Sequence, residues 1–253
     1  MRLDKYLAEN GFGSRTKAAR AIAEGRVLRN GKVASPADEV REGDCVEVQR
    51  AEISFVSEGG FKLYKALSDF GESVRGGVFI DIGASTGGFT DCLLQSGADR
   101  VYAVDVGESQ LDARLARDAR VTVMDHVNAR YLRREDFPEQ PDGAVIDVSF
   151  ISLALILPAA AELIGKQGRV FALIKPQFEC GAKALDKHGI VKEQGDRLRA
   201  VFAVRDAALS SGLVLAKLTN APLKPRKNVE YIALFVREGV ALPDEKIREA
   251  CKI

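Results

Sequence analysis

The stretch Asp81-Ile82-Gly83-Ala84-Ser85-Thr86-Gly87-Gly88-Phe89-Thr90-Asp91 decides how this 253-residue chain is read. It follows a short apolar run, Val78-Phe79-Ile80, which predicts a buried strand, and leads into Phe89 to Leu94, which predicts a helix. Gly83, Gly87 and Gly88 fall in the turn between them. Glycine lets backbone approach a ligand closely and takes dihedrals that other residues resist. The helix that follows aims unpaired N–H groups and the positive end of its dipole at the same spot. This is the first βα turn of a nucleotide-binding α/β sheet.

The spacing narrows the ligand. A dehydrogenase fingerprint would read G-x-G-x-x-G and a phosphate-binding loop G-x-x-x-x-G-K-[ST]. Here the order is Asp81-x-Gly83-x-x-x-Gly87-Gly88, with no lysine after the glycines. The next apolar run, Val101-Tyr102-Ala103-Val104, ends in Asp105, a carboxylate placed to accept hydrogen bonds from ribose hydroxyls. An acid two residues before the first glycine suits the amino-acid end of S-adenosylmethionine better than a pyrophosphate. The turn resembles motif I of the class I methyltransferases. That resemblance implies S-adenosyl-L-methionine as cofactor, bound by Asp81, Gly83, Ala84, Ser85, Thr86, Gly87, Gly88, Phe89, Thr90, Asp105 and Val106.

The chain is 46% hydrophobic and 29% charged, which suits one large or two smaller soluble domains. No apolar run approaches the ~18 residues of a membrane span, and Met1-Arg2-Leu3-Asp4-Lys5 lacks the apolar region of a signal peptide. Cys45, Cys92, Cys180 and Cys251 lie far apart and His126 and His188 are isolated, so neither a disulfide framework nor a metal site is expected. A reducing cytoplasm is the expected compartment.

The formal net charge of +1 hides a strong polarisation at the start of the chain. Residues 1–33 hold eight Lys/Arg against three acids, whereas residues 34–58 hold two against seven. Leu3, Tyr6 and Leu7 make one helical face, ended by Asn10-Gly11. Ser14 is placed to cap a second helix, with Ala18, Ala19, Ile22 and Ala23 expected inward and Arg15, Lys17 and Arg20 outward. Val27 to Val33 reads as a hairpin turning at Asn30-Gly31, and Cys45 to Val48 as a last strand. The residues Arg2-Leu3-Asp4-x-x-Leu7, Ser14-Arg15-x-x-Ala18, Ile22-x-x-Gly25-x-Val27, Asn30-Gly31 and Val40-x-x-Gly43-Asp44 resemble the small S-four RNA-binding domain. The resemblance implies RNA contacts from Arg2, Lys5, Arg15, Lys17, Arg20 and Arg29, recognising shape and phosphate more than sequence.

Residues 51–60 read as the junction, giving an RNA-binding domain over 1–58 and a larger domain over 61–253, which opens with a helix from Phe61 to Phe70. Strands are predicted over Val78–Ile82, Val101–Asp105, Val121–Met124, Ala144–Val148, Val170–Ile174, Leu213–Thr219 and Tyr231–Val236, with the clearest helices over Ser152–Ile164 and Glu193–Leu209. The alternation predicts an α/β fold, a seven-stranded doubly wound sheet with one antiparallel edge strand beside a small N-terminal α+β domain, and this order resembles the Rossmann-like class I methyltransferase topology.

Ligands of such sheets bind outside the carboxyl ends of the strands. Asp147 ends strand four, Lys175 ends strand five, Glu230 opens the antiparallel strand and Lys62 precedes strand one, so four charges can converge at one edge. A Lys-Asp-Lys-Glu set in this order resembles the catalytic tetrad of the FtsJ-type ribose 2′-O-methyltransferases. Gly59-Gly60-x-Lys62-Leu63, Asp147-Val148-Ser149-Phe150-Ile151-Ser152 and Lys175-Pro176-Gln177-Phe178-Glu179 resemble the TlyA family, also labelled haemolysin A, over essentially the whole chain. The resemblance implies methylation of a cytidine ribose 2′-OH in ribosomal RNA, with Lys62, Asp147, Lys175 and Glu230 catalytic and Asn128 and Asp147 beside the cofactor. The chain departs from the family at Glu58, where arginine is usual, and at Asp125-His126-Val127-Asn128, where Glu-Arg-Thr-Asn would be expected.

The chemistry requires removal of a proton from a poorly nucleophilic hydroxyl, in-line approach to the methyl group, and a dry site. Lysine serves as a base only when desolvation or a second cation favours its neutral form. Lys224 and Arg226, in the loop before Glu230, are candidate phosphate contacts, and Gly181 to Val191 is a candidate lid. Two other readings stand beside the enzyme: a catalytically inactive RNA-binding protein, and a membrane-active haemolysin, which would need an amphipathic or spanning segment that the sequence does not display.

Overall fold

The computed structural model of the protein describes residues 1–253 apart from Gly13, Glu24, Arg50, Ala51, Glu52, Lys224 and Ile253 and the side chains of Lys17 and Arg20. The described residues group into two compact units, Met1–Ser54 and Phe55–Ile253.

The small unit begins with α1 (Leu3–Leu7), which runs into a turn over Ala8–Phe12 kinked at Asn10 and Gly11, and continues with α2 (Arg15–Ala23). β1 (Val27–Arg29) then pairs antiparallel with β2 (Lys32–Val33) on one side and β3 (Val46–Val48) on the other. Asn30 and Gly31, at φ 52° and 75°, make the tight turn that matches the twist of the flanking strands. Leu3, Leu7, Ala18, Ala21, Ile22 and Val27 form its core. The helical phase of α2 corrects the sequence expectation in two places: Ala21 faces the core, whereas Ala19 and Ala23 are exposed.

The large unit opens with α3 (Glu58–Phe70), three residues earlier than the sequence suggests. There follow β4 (Val78–Ile82), α4 (Gly88–Gln95), β5 (Arg100–Val104), α5 (Ala113–Ala116), β6 (Val121–Met124), β7 (Gly143–Ile146), α6 (Leu157–Leu163), β8 (Arg169–Ile174), α7 (Pro176–Glu179), α8 (Gln194–Ser210), β9 (Val214–Asn220), β10 (Tyr231–Val236) and α9 (Asp244–Ala250). The strands form one seven-stranded sheet in the order β6-β5-β4-β7-β8-β10-β9. β4 to β8 are parallel, and β10 runs antiparallel to both its neighbours, one strand in from the rim.

Strands this apolar are buried on both faces. Ile80, Tyr102, Ile146 and Val170 pack on one side against α6, α8 and α9. Phe79, Val101, Val145 and Phe171 pack on the other against α3 and α4. The helix expected over 152–164 is divided: a 3-10 turn over Leu153–Leu155 starts at Ser152, and α6 begins only at Leu157, with Pro158 in its first turn. Strand order reverses at β4, whose neighbours β5 and β7 lead away in opposite directions. That reversal opens a crevice at the carboxyl ends of β4 and β7, where ligands of open α/β sheets bind.

Candidate active site

The glycine turn lies at this crevice. Gly83 and Gly87 hold left-handed backbone, at φ 82° and 93°. A Cβ on Gly83 would stand 2.9 Å from the carbonyl oxygen of Asp147, so only glycine allows the ends of β4 and β7 to approach this closely. Asp105, just past β5, braces the turn by accepting from Ser85 N and Gly107 N, both at 2.8 Å. Val106 beside it is exposed. Asn128 caps the short turn Ala129–Tyr131 by accepting from Arg130 N at 3.1 Å.

Below the turn, Asp81 is fully buried. Its Oδ2 accepts from the Thr90 hydroxyl at 2.6 Å, while Oδ1 has no protein partner. Burial raises its pKa to about 7, opposed by the Thr90 bond and assisted by the charges of Asp147 and Asp105. A buried carboxylate with an unpartnered oxygen is a seat for a cation. The α-ammonium group of S-adenosylmethionine fits that requirement, and the glycine turn and Asp105 fit the rest of such a ligand.

A pocket of about 170 Å³ over the turn is lined by Gly83 to Thr86, Gly88 and Phe89 together with Ser57, Gly59, Asp147, Ser149 and Lys175. Lys175 ends β8 and is 8% exposed. Its Nζ pairs with Asp147 Oδ1 at 2.7 Å and donates to Ser149 Oγ at 2.8 Å. Tyr231 of β10 stands opposite Ile174 of β8, so Glu230 and Lys175 flank the same end of neighbouring strands. Glu230 Oε2 accepts from Lys62 Nζ, on the first turns of α3, at 2.6 Å. The four charges therefore stand as two lysine–carboxylate pairs at the carboxyl edge of the sheet.

Lys62 and Glu230 line a second, larger cleft of about 1480 Å³ with Phe61, Gln177, His188, Lys192, Arg226, Lys227 and Asn228. Arg226, a sequence-predicted phosphate contact, thus faces this cleft; Lys224 lies outside the described residues. The candidate lid is not loose. Asp186 folds it into a turn by accepting from His188 N and Ile190 N. Asn228 clasps it from the other side, accepting from Val191 N at 2.8 Å and donating to Gly189 O at 2.9 Å.

Sequence reasoning assigned no role to Asn228, Ser149 or Glu179. Glu179 accepts from Ser152 Oγ at 2.6 Å and Leu153 N at 2.9 Å. Phe150 is 91% exposed and left-handed, at φ 63°. Such a backbone costs a bulky residue on the order of 1–3 kcal/mol. Its ring lies 5.1 Å from that of Phe178, which in turn lies 5.9 Å from Lys175 Nζ. The signal for Ser149, Phe150 and Glu179 was their place in motifs already singled out, not any charge or spacing of their own; Asn228 carried no such signal.

In the small unit, Arg2 Nε and Arg15 Nη2 share Asp4, at 3.1 and 2.8 Å, and hold its pKa down at about 2, with Arg15 the larger influence. Lys5 pairs with Glu9 at 3.7 Å, and Arg29 donates to Glu39 O at 2.8 Å beside Asp44. The side chains of Lys17 and Arg20 lie outside the described residues. Among the described residues no helix is long and apolar enough to cross a membrane, and no group of three or more His, Cys, Asp or Glu could hold a metal ion.

Comparison with known proteins matches residues 55–236 to the FtsJ-like methyltransferase family and residues 1–46 to the S4 domain. The chain is 40% identical to the 16S/23S rRNA (cytidine-2′-O)-methyltransferase TlyA of Mycobacterium tuberculosis, across 91% of this chain and 87% of that protein. It is also 40% identical to Hemolysin A of Brachyspira hyodysenteriae, across 93% of this chain and all of that one. A solved structure from Streptococcus thermophilus bearing the hemolysin name is 38% identical, with a TM-score of 0.75, covering 99% of this chain and 94% of that one.

Proposed function

The chain belongs to the TlyA family of FtsJ-like methyltransferases, and from that premise we propose that it transfers a methyl group from S-adenosyl-L-methionine to the 2′-hydroxyl of a cytidine in ribosomal RNA. The observation that carries the reading is the Lys175–Asp147 pair standing on the wall of the glycine-turn pocket. It sets a candidate base beside the place where a methyl donor would lie.

When bound, the cofactor supplies an electrophilic methyl on a sulfonium. Asp81 Oδ1 would hold its ammonium end and Asp105 its ribose, and the left-handed glycines would leave room for it beside the turn. Lys175 Nζ is oriented by Asp147 and Ser149 and would take the proton of the 2′-hydroxyl, leaving its oxygen as the nucleophile for the methyl group that the cofactor would supply. Lys62, held by Glu230, lies on the cleft side, where it faces the ribose-phosphate chain. Lys192, Arg226 and Lys227 line the same cleft and suit RNA phosphates, and the exposed ring of Phe150 offers a face on which an unpaired base can stack. The small unit adds the affinity for structured RNA implied by its S4 fold.

Incubating the protein with labelled cofactor and ribosomal RNA from cells lacking the enzyme, then digesting to nucleosides, should yield 2′-O-methylcytidine. Label on a base, or no label with RNA and intact ribosomal subunits alike, would overturn the reading.

A further inference from the structure

Two loops carry Asp147 and Lys175, and they are joined at both ends. At the head, Asp147 N donates to Ile82 O at 3.0 Å, and Lys175 Nζ reaches Asp147 and Ser149. At the tail, Glu179 closes α7, the single helical turn that starts immediately after Lys175. Its two oxygens take the Ser152 hydroxyl and the Leu153 amide, one each. Between these fastenings lies Phe150, exposed and left-handed, its ring 5.1 Å from that of Phe178.

A segment with an exposed, strained centre keeps its shape only if its ends are held. Past Ser152 the chain is anchored: Leu153 is buried in the core, and Ala154 N donates to Ser152 Oγ at 3.1 Å. Glu179 is the group that ties this anchor to the turn bearing Lys175. A carboxylate suits the task because two donors converge on it and it offers two acceptor oxygens. Half-buried among them, its pKa is raised by desolvation despite both bonds.

We propose that Glu179 is a positioning residue for methyl transfer: by clamping Ser152 and Leu153 to the turn that follows Lys175, it fixes Ser149 and Phe150 relative to Lys175. The proposal rests on the function proposed above. Glu179 touches neither cofactor nor RNA in this scheme; it acts through the loop.

Methyl transfer by Glu179→Ala, Glu179→Gln, Ser149→Ala and the Ser149→Ala/Glu179→Ala double variant separates a clamp from a merely structural acid. Misplacing reacting groups by about 1 Å costs roughly 10²-fold in rate. Glu179→Ala should therefore lower kcat by about ten- to a hundredfold while cofactor affinity and the KM for RNA stay within about twofold. Glu179→Gln, which keeps one acceptor for Leu153 N, should recover most of the loss, and the double variant should lose less than the product of the single losses. A readout free of activity is available because the chain has no tryptophan. With Phe150→Trp as the sole reporter, adding Glu179→Ala should lower its fluorescence anisotropy.

Glu179→Ala with kcat within twofold of wild type, or with kcat, affinity and thermal stability falling together and unrescued by glutamine, overturns the proposal. So does an unchanged anisotropy. If the wild type itself transfers no methyl to RNA, the functional reading fails, and the anisotropy comparison alone still decides whether Glu179 holds the loop.

Discussion

Arg15 meets Asp4 at 2.8 Å in the small unit, and Lys175 meets Asp147 at 2.7 Å in the large one. The lengths differ by only 0.1 Å, but the settings are unlike. The Arg15 side chain is 58% exposed, whereas that of Lys175 is 10% exposed. In water an ion pair contributes about 0–1 kcal/mol and is screened by salt. Away from water the same contact is stiff, and removing one partner leaves the other uncompensated. The first arrangement suits cations that meet a polyanion over several ångströms and let go. The second suits a proton transfer that tolerates little error in position. The exposure of the cation, not the length of the pair, fits one arrangement to a binding surface and the other to a catalytic site.

The largest effect should come from the buried pair. Lys175→Ala should lower the rate of methyl transfer by about 10²–10⁴-fold, the usual loss on deleting a general base, with RNA affinity near wild type. Lys175→Arg keeps the charge but cannot deprotonate in a protein, so it should be almost as poor. Arginine is bulkier, and RNA binding by this variant is measured alongside. A Lys175→Arg enzyme that binds RNA normally and keeps most of its activity would make Lys175 an electrostatic group and pass the role of base to Lys62.

The next effect tests whether burial controls the cofactor end as well. The pKa of Asp81 is raised from 3.8 to about 7, so over most of that interval its carboxyl is protonated in the cofactor-free fold. An ammonium requires the anion. Cofactor affinity should therefore rise with pH, by up to about tenfold per unit, and level off above about 7. Stability of the free protein has the opposite sign. A carboxyl with a native pKa above its unfolded one gives stability that is present below about 4 and lost as pH climbs to about 7. Calorimetric titrations from pH 5.5 to 8 give the slope. A flat profile, or the same slope in Asp81→Asn, would remove Asp81 from the cofactor's contacts.

The contrast between the settings also explains what could be read in advance. Val78–Ile82, Val121–Met124 and Tyr231–Val236 are strands whose bounds coincide with the sequence reading, because runs of branched and aromatic residues between polar turns have one compact solution. The start of α3 was not legible. Glu58-Gly59-Gly60 has the poor helix propensity of a linker, yet the glycines are there for space. A Cβ on Gly60 would enter the Phe55 ring, and one on Gly88 would come within 3.1 Å of Gly59 Cα. The four charges of the site were legible as charges at strand ends. Their partition into Lys62–Glu230 and Lys175–Asp147 was not, since it depends on the register of β10 against β8. Asn228 was hidden for a related reason: it works through backbone groups 37 and 39 residues away, and a sequence does not display which backbone an amide will meet.

On the exposed side, Arg15→Ala should flatten the dependence of log affinity for ribosomal RNA on log salt concentration by about 0.7–0.9, the value of one phosphate contact. Methyl transfer at saturating RNA should be unaffected. An unchanged slope would show that Arg15 does not meet phosphate.

The smallest expected effect is also the most discriminating, because its sign is at stake. Asp4 holds both Arg2 and Arg15. If it serves only to neutralise them, Asp4→Asn adds net positive charge, and RNA should bind more tightly with a steeper salt slope. If instead it aims two guanidinium forks, the variant keeps the same cations but leaves them free to wander, and ordering them again on binding costs affinity. The geometry favours the second outcome. Arg15 offers Nε and Nη2 to the carboxylate, which leaves the Nη1 edge of a planar, oriented group for a phosphate. Asp4→Asn should therefore weaken binding by a few-fold at most, at an unchanged slope, because the number of phosphates neutralised stays the same. Tighter binding with a steeper slope would make the exposed pair a brake on RNA affinity and not its guide.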